Sequence, residues 1–295
     1  MAVQKIIPAN MKYVFFGTPR FAEIVLGGLI DGGLVPAALV CNPDRPLGRK
    51  HIVTPPLTKQ LVINKKLSTV ILQPEKLDDA FIAQLRALEP DFFVVAAYAK
   101  IIPAAVLDIP KFGTLGTHPS LLPNYRGASP IQSVILAGET TTGVTIYLMD
   151  AKMDHGPICV GQLTISFDPL TTTYAALEEQ LAKLAIDLIP LAMDLRLDPG
   201  NAPQPQDESK ATFTKKFSTD NGFIEYSELD AAIAGNSDKV ELILRTINAL
   251  NPEPGVWTIK SGKRIKLLKA RIDGSALKLV TIQEEGQRPK AALKF

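Results

Sequence analysis

Tyr13-Val-Phe-Phe-Gly-Thr-Pro19 decides the fold: a four-residue apolar run stops at a Gly-Thr-Pro turn, and a helical pattern then runs through Ile30. Val35-Pro-Ala-Ala-Leu-Val-Cys41 reads as a second strand, and Thr69-Val-Ile-Leu72 and Phe92-Phe-Val-Val-Ala-Ala97 as two more. Phe81, Ile82, Leu85 and Leu88 lie between the last two at helical spacing. Short continuous apolar strands that alternate with amphipathic helices predict a parallel sheet covered on both faces. The expected class is α/β, with a Rossmann-like doubly wound first domain. Gly17-Thr-Pro-Arg20 does not supply a Gly-x-Gly-x-x-Gly fingerprint, so no dinucleotide is implied.

A chain of 295 residues can hold one large or two ordinary domains. Hydrophobic residues make up 46% and charged residues 21%, the balance of a globular protein in water. The net charge is only +2, so a polyanionic partner would have to meet local patches rather than a global field. Cys41 and Cys159 stand apart, each beside an apolar run, and are expected as buried free thiols. The cysteines and the three histidines show no metal-ligand spacing, so no metal is expected. No basic-then-apolar leader and no run of membrane-spanning length occurs, which predicts a cytoplasmic protein with no membrane association. Met1–Asn10 reads as an N-terminal extension ahead of Met11.

Beyond the first half, Thr172–Leu197 has helical periodicity, and Pro190 inside it should kink or shorten the helix. Pro199-Gly-Asn-Ala-Pro-Gln-Pro-Gln206 is polar and proline-rich, as linkers are. The predicted division is therefore a domain over 11–197, a linker over 198–215 and a second domain over 216–295. Ser237–Leu250 is a helix candidate with Val240, Ile243, Leu244 and Ile247 on one face. Glycine-punctuated runs follow at Val256–Lys260, Ile265–Ile272 and Ala276–Gln283, which predicts a small β-rich domain. Lys263–Ile272 also suits a helix, because Ile265, Leu268 and Ile272 fall on one helical face. Between Val256 and Val280 seven Lys/Arg face one acid, Asp273. Such a run is either a solvated face or a phosphate-binding one.

The chemistry-bearing stretch is Thr114-Leu-Gly-Thr-His-Pro-Ser-Leu-Leu-Pro-Asn-Tyr-Arg-Gly127, followed by Gly143-Val-Thr-Ile-Tyr-Leu-Met-Asp150 and Met153-Asp-His-Gly156. His118 and Asp154 both fall where strand-like patterns give way to loops, the place where α/β sheets carry their sites. A histidine–carboxylate pair suits acyl transfer to an amine: the imidazole takes a proton near neutral pH and the carboxylate orients it. Asp150 competes with Asp154 for that role. His155 reads as a solvent-facing or locally packed residue, or as a support for the pair.

Taken together, His118-Pro-Ser-Leu-Leu-Pro123, Tyr125-Arg-Gly127, Pro130-Ile-Gln132, Gly143-Val-Thr-Ile146 and Asp154-His-Gly156 resemble, in order and spacing, the formyltransferases that use 10-formyltetrahydrofolate. The resemblance implies His118 and Asp154 as the catalytic pair and Ser120, Leu121, Leu122 and Pro123 as folate contacts. It implies Tyr98, Ile101 and Ile102, within Ala96–Pro103, as lining of the pterin pocket, although the family more often has glycine where Ala99 stands. It departs at Gly116, where the family has an asparagine whose amide donates to the developing oxyanion. A water or backbone N–H, a neighbouring side chain such as Thr117, or a loss of catalysis would each account for that glycine.

Pro43-Asp-Arg-Pro-Leu-Gly-Arg-Lys50 is similar to the loop that tRNA-acting members insert at the acceptor stem, which implies Arg45, Arg49 and Lys50 as tRNA contacts. Asn251-Pro-Glu-Pro-Gly-Val-Trp257 and Gly262–Ala270 resemble those members' C-terminal domain, an OB-like barrel. There Lys263, Arg264, Lys266 and Lys269 would meet phosphates, and Trp257 would pack in the core. The implied partners are methionyl initiator tRNA and 10-formyltetrahydrofolate, and a monomer is expected. The alternatives are a sugar-nucleotide N-formyltransferase, or a tRNA- or folate-binding relative impaired by Gly116.

Overall fold

The computed structural model describes residues 8, 10–48 and 51–292. Arg49 and Lys50 lie outside the described residues, as does the predicted extension apart from Pro8 and Asn10. The chain begins with β1 (Tyr13–Phe16), α1 (Arg20–Asp31), β2 (Ala38–Val40), β3 (Arg45–Leu47), β4 (Ile52–Thr54), α2 (Leu57–Asn64), β5 (Val70–Leu72) and α3 (Asp79–Ala87). It continues with β6 (Phe92–Ala96), α4 (Ala104–Leu107), β7 (Thr114–His118), β8 (Arg126–Gly127), α5 (Pro130–Ala137), β9 (Thr141–Leu148), β10 (Leu163–Ser166) and α6 (Tyr174–Leu197). The last elements are β11 (Phe213–Thr214), α7 (Tyr226–Ile233), α8 (Val240–Leu250), β12 (Trp257–Lys260), β13 (Lys263–Asp273), β14 (Ala276–Glu284) and β15 (Lys290–Ala291).

The chain forms two compact units, one made of residues 1–126, 143–164 and 179–212, the other of 127–142, 165–178 and 213–295. The main sheet has seven strands in the order β10-β9-β7-β6-β1-β2-β5. Every residue of β1 and β6 is buried, as both-face coverage requires. Phe16 and Phe93 meet at 4.9 Å between ring centroids, and Leu85 of α3 packs in the same cluster. Each such side chain contributes about 1.5–3 kcal/mol on burial. Strands β5, β2, β1, β6 and β7 pair in parallel, so the direction of sheet growth reverses between β1 and β6.

The sheet is not wholly parallel as predicted, because β9 runs antiparallel to β7. The connection from β7 returns to the end of the sheet that β7 leaves, so no crossover is needed. That return pairs His118 with Thr145 and Gly116 with Tyr147. Helix α6 has 24 residues and is not cut short at Pro190. Proline removes one backbone donor there, and the buried Leu188, Ile189, Ala192 and Met193 around it outweigh that loss. The loop expected around Pro43–Pro56 contains a hairpin of β3 and β4, with Gly48 at φ +67° in its turn.

In the other unit, α5 packs on α8, and α8 lies on β13. Val240, Ile243, Leu244 and Ile247 are the buried stripe of α8. The four-stranded antiparallel sheet has the order β12-β13-β14-β15. Lys263–Ile272 is thus a strand and not a helix. Its register shifts on either side of Lys269, a bulge that brings Lys266, Lys269 and Arg271 all to exposed positions.

Candidate active site

His118 is the last residue of β7, at the carboxyl end of the parallel strands, and is 5% exposed. Its Nε2 lies 2.8 Å from the carbonyl oxygen of Tyr125. A carbonyl can only accept, so Nε2 carries the hydrogen, and in the neutral ring the lone pair is on Nδ1. Nδ1 is the atom that faces Asp154, 3.6 Å from Oδ2. Their geometry therefore assigns the base atom, with a carboxylate beside it to stabilise the ring once protonated.

Asp154 is held from three directions. Its backbone is left-handed, at φ +49°. The Gln206 amide donates to the carbonyls of Asp154 (2.9 Å) and Gly156 (2.8 Å), which fixes this loop. The Tyr147 hydroxyl donates to Asp154 Oδ1 at 2.8 Å. Burial first, and then the Asp154 charge, push the Tyr147 phenol well above its ordinary value, so it stays an O–H donor. Ala97 (φ 51°) and Tyr125 (φ 60°) are also left-handed on loops that leave the same sheet, and strained backbone of this kind collects at working sites.

Gln206 is itself gripped by Arg126, whose Nε and Nη2 donate to its Oε1 at 3.0 and 2.7 Å. Arg126 is 1% exposed and also chelates Glu208 through Nη1–Oε2 (3.0 Å) and Nη2–Oε1 (2.6 Å). The arginine holds the Glu208 carboxyl below its usual range. Gln206 and Glu208 lie in the segment read as a linker, and neither was anticipated from sequence. Arg126 belongs to the Tyr125-Arg-Gly127 string, which by itself assigns it no role. No local pattern signals them, since Arg126 and Gln206 are 80 residues apart.

The competing carboxylate, Asp150, is turned elsewhere: it accepts from His155 Nδ1 at 2.6 Å and from the Lys152 N–H. His155 Nε2 lies 3.6 Å from Glu208. It is thus neither free in solvent nor beside His118, but a spacer between two acids. Thr145, opposite His118, ties down the next loop. Its hydroxyl donates to the Ser120 carbonyl (2.7 Å) and accepts from the Leu122 N–H (3.1 Å) and Gln162 (2.7 Å). The Ser120 hydroxyl in turn donates to the Asn124 carbonyl at 2.6 Å.

Of the residues expected to line a folate pocket, Ser120, Leu122, Tyr98 and Ile102 are buried, whereas Ile101 is 91% exposed. Tyr98 packs edge-on against Phe16, and burial pushes its phenol up to about 12. Its hydroxyl and Asn42 Oδ1 are buried without a hydrogen-bond partner among the described residues. Both follow carboxyl ends of strands. Cys41 is buried and Cys159 half-buried, both as free thiols.

Gly116 has no room for a side chain. A Cβ there would stand 2.5 Å from the Tyr147 ring and 2.8 Å from Met149 Cγ. Thr117 cannot replace the missing donor, because alternate strand residues face opposite sides and its side chain leaves the face of Gly116 and His118.

The expected tRNA contacts are placed unevenly. Arg45 pairs with Glu75 at 2.9 Å. Lys263, Lys266 and Lys269 are exposed on β13, and Arg264 lies over the Trp257 ring at 4.1 Å. Trp257 is half-buried against Phe223 rather than enclosed in the core, with its indole N–H on the Thr219 carbonyl. Among the described residues no group of three or more His, Cys, Asp or Glu could hold a metal ion, and no helix is long and apolar enough to cross a membrane.

Residues 11–193 match the family described as formyl transferase, and residues 230–288 match its C-terminal domain. The methionyl-tRNA formyltransferase of Chloroflexus aurantiacus is 39% identical over 263 residues, which covers 89% of this chain and 80% of the relative. Among solved structures, methionyl-tRNA formyltransferase from Clostridium thermocellum superposes with a TM-score of 0.60 at 16% identity, covering 93% of this chain and 98% of that one. HypX from Aquifex aeolicus in complex with tetrahydrofolic acid does so with a TM-score of 0.65 at 15% identity, over 95% of this chain and 45% of HypX. At these identities the two superpositions speak for the fold.

Proposed function

Since the chain belongs to the methionyl-tRNA formyltransferase family, we propose that the His118–Asp154 cluster is where it performs the family's reaction. The enzyme moves the formyl group of 10-formyltetrahydrofolate to the amine of methionyl-tRNA. The observation that carries the assignment of the site is the pairing of a donor-locked Nε2 with an Nδ1 that faces a carboxylate.

The amine attacks the formyl carbon, and a C–N bond forms as the carbonyl π pair moves to oxygen. His118 Nδ1 takes the proton that the amine loses, and Asp154 stabilises the imidazolium. The tetrahedral intermediate then collapses, its bond to N10 of the folate breaks, and the proton held by His118 goes to the departing nitrogen. Ser120, Leu121, Leu122 and Pro123, on the loop tied down by Thr145, would contact the folate, with Tyr98, Ile101 and Ile102 beside it. The buried Tyr98 hydroxyl and Asn42 Oδ1, which have no hydrogen-bond partner among the described residues, are polar atoms a pterin ring could satisfy.

The finer architecture follows the same reading: a Rossmann-like first domain over 11–197, a connection over 198–215, and an OB-like C-terminal domain over 216–295. Lys263, Arg264, Lys266 and Lys269 would contact tRNA phosphates there, and Arg45, Arg49 and Lys50 the acceptor end. Phosphate contacts position an RNA without reading its sequence. The working form would be a cytoplasmic monomer with initiator tRNA as its partner.

The test is formyl transfer from 10-formyltetrahydrofolate to methionyl initiator tRNA, read as formylmethionyl-tRNA formed. Transfer to an amino sugar nucleotide but not to tRNA would replace this reading with the sugar-nucleotide one. Arg49→Ala should impair use of tRNA far more than use of folate; equal losses in both would remove the loop from the tRNA site.

A further inference from the structure

Gly116 and Tyr147 are direct cross-strand partners on β7 and β9, and His118 and Thr145 are the next pair on the same face. One face of two neighbouring strands therefore carries a residue with no side chain, an aromatic that overlies it, and the histidine. Tyr147 is 3% exposed, and its ring occupies the volume a Cβ at position 116 would need. The hydroxyl at the far end of that ring donates to one oxygen of Asp154, while the other oxygen faces His118.

We propose that Gly116 and Tyr147 are one coupled pair, in which the glycine leaves room for the tyrosine ring and the tyrosine hydroxyl, by donating to Asp154, holds that carboxylate against His118. Tyr147 is on this account a positioning residue. A carboxylate free to rotate would face His118 Nδ1 with neither oxygen reliably. The O–H bond to Oδ1 fixes the plane of the carboxylate and leaves Oδ2 on the imidazole. The glycine is part of the device because any side chain at 116 would displace the ring that carries the hydroxyl. Glycine at 116 then marks room kept for the tyrosine and not a decayed site.

The inference rests on the formyl-transfer reading, so the unmodified chain is assayed first. Tyr147→Phe keeps the ring and removes only the hydroxyl. It should lower kcat about 10- to 100-fold, as loss of alignment does, while KM for each substrate stays within about threefold. Unchanged kcat in Tyr147→Phe would overturn the positioning role.

The coupling is tested by Gly116→Asn, alone and with Tyr147→Leu, which opens the volume at 116. Alone it should lower the melting temperature and abolish detectable turnover. The second change should recover the melting temperature and part of the turnover, leaving the double variant more active than Gly116→Asn. A fully stable and active Gly116→Asn, or a double variant no better than it, would overturn the pair. The melting temperatures read the steric half of the proposal even if the native chain transfers no formyl group. That inactivity would count against the functional reading of the site, whereas a double variant more active than the native chain, although it lacks the hydroxyl, would count against Tyr147 as the positioning residue.

Discussion

The two regions proposed to carry function in this chain are built on opposite physical plans. At the carboxyl end of β7, one tyrosine, one aspartate, one glutamine and one arginine form a hydrogen-bonded chain that sets a carboxylate 3.6 Å from the histidine, with His118, Tyr147 and Arg126 all at or below 5% exposure. On β13 the corresponding residues are exposed lysines and arginines with few fixed partners. In the first region each group is desolvated and its partners are few, so loss of one atom leaves another buried group unsatisfied. In the second, water and salt screen every charge, and neighbours share the work. The first should break in steps and the second should fade.

The sharpest break is expected at Asp154. Asp154→Ala removes the charge beside His118 Nδ1 and also the acceptor of the Tyr147 hydroxyl. The kcat should fall by roughly 10²–10⁴-fold, the range for general acid–base catalysis. Affinity for tRNA should hold within about threefold, because β13 is untouched. Single-turnover kinetics with enzyme in excess would check it. A variant that kept more than a tenth of native kcat would place the working carboxylate elsewhere.

Arg126 comes next, and its effect should appear in stability as well as rate. Arg126→Met leaves Gln206 Oε1 without its two donors and frees Glu208. About 2–3 kcal/mol of unfolding free energy should be lost, measured by urea titration. Arg126→Lys should not restore it, because an ammonium cannot span both partners as the planar guanidinium does. Equal stability of all three proteins would mean that the network is incidental to the fold.

Those two predictions divide what the sequence made legible from what it did not. Continuous apolar runs such as Tyr13–Phe16 and Phe92–Ala96 announce buried strands through local pattern alone, and the structure places strands there. His118 and Asp154, 3.6 Å apart in the structure, were legible as a candidate pair because each stands where a strand gives way to a loop inside a recognisable string. Gln206 could not, for its bonds run to residues 52 and 80 positions away, and nothing in Pro-Gln-Pro-Gln marks one glutamine as structural. Tyr147 looked like one more apolar strand residue. Only the register, which pairs it with Gly116, and its bond to Asp154 reveal its place beside the candidate site. The antiparallel return of β9 was hidden for a similar reason: burial patterns report which faces are covered but not strand direction.

The basic strand should respond more gently. Lys266→Ala and Lys269→Ala should each weaken tRNA binding modestly and lower the dependence of log Kd on log salt by about 0.7–0.9 per lysine. At saturating tRNA, kcat should be unchanged. Binding titrations across a series of salt concentrations give the slope, and an unaltered slope for both variants would take these lysines out of the RNA interface. A kcat loss as large as that of Asp154→Ala would collapse the contrast between the two regions.

Arg264 is the smallest and most discriminating case, because it mixes the two plans within one strand. Its guanidinium stacks 4.1 Å from the Trp257 ring centre, and its Nε is buried with no hydrogen-bond partner among the described residues. The arginine is therefore held by the face of the ring more than by any fixed acceptor. Arg264→Ala should cost about 0.5–1 kcal/mol of stability, the scale of an exposed cation–π contact, and should leave Trp257 more mobile in its fluorescence anisotropy. Arg264→Lys should recover the charge-dependent share of tRNA affinity but not the stacking, since an ammonium has no plane to lay on the indole. If lysine restored both stability and affinity, Arg264 would be one more screened charge on β13. If it restored neither, the stack itself would be what presents this strand to a partner.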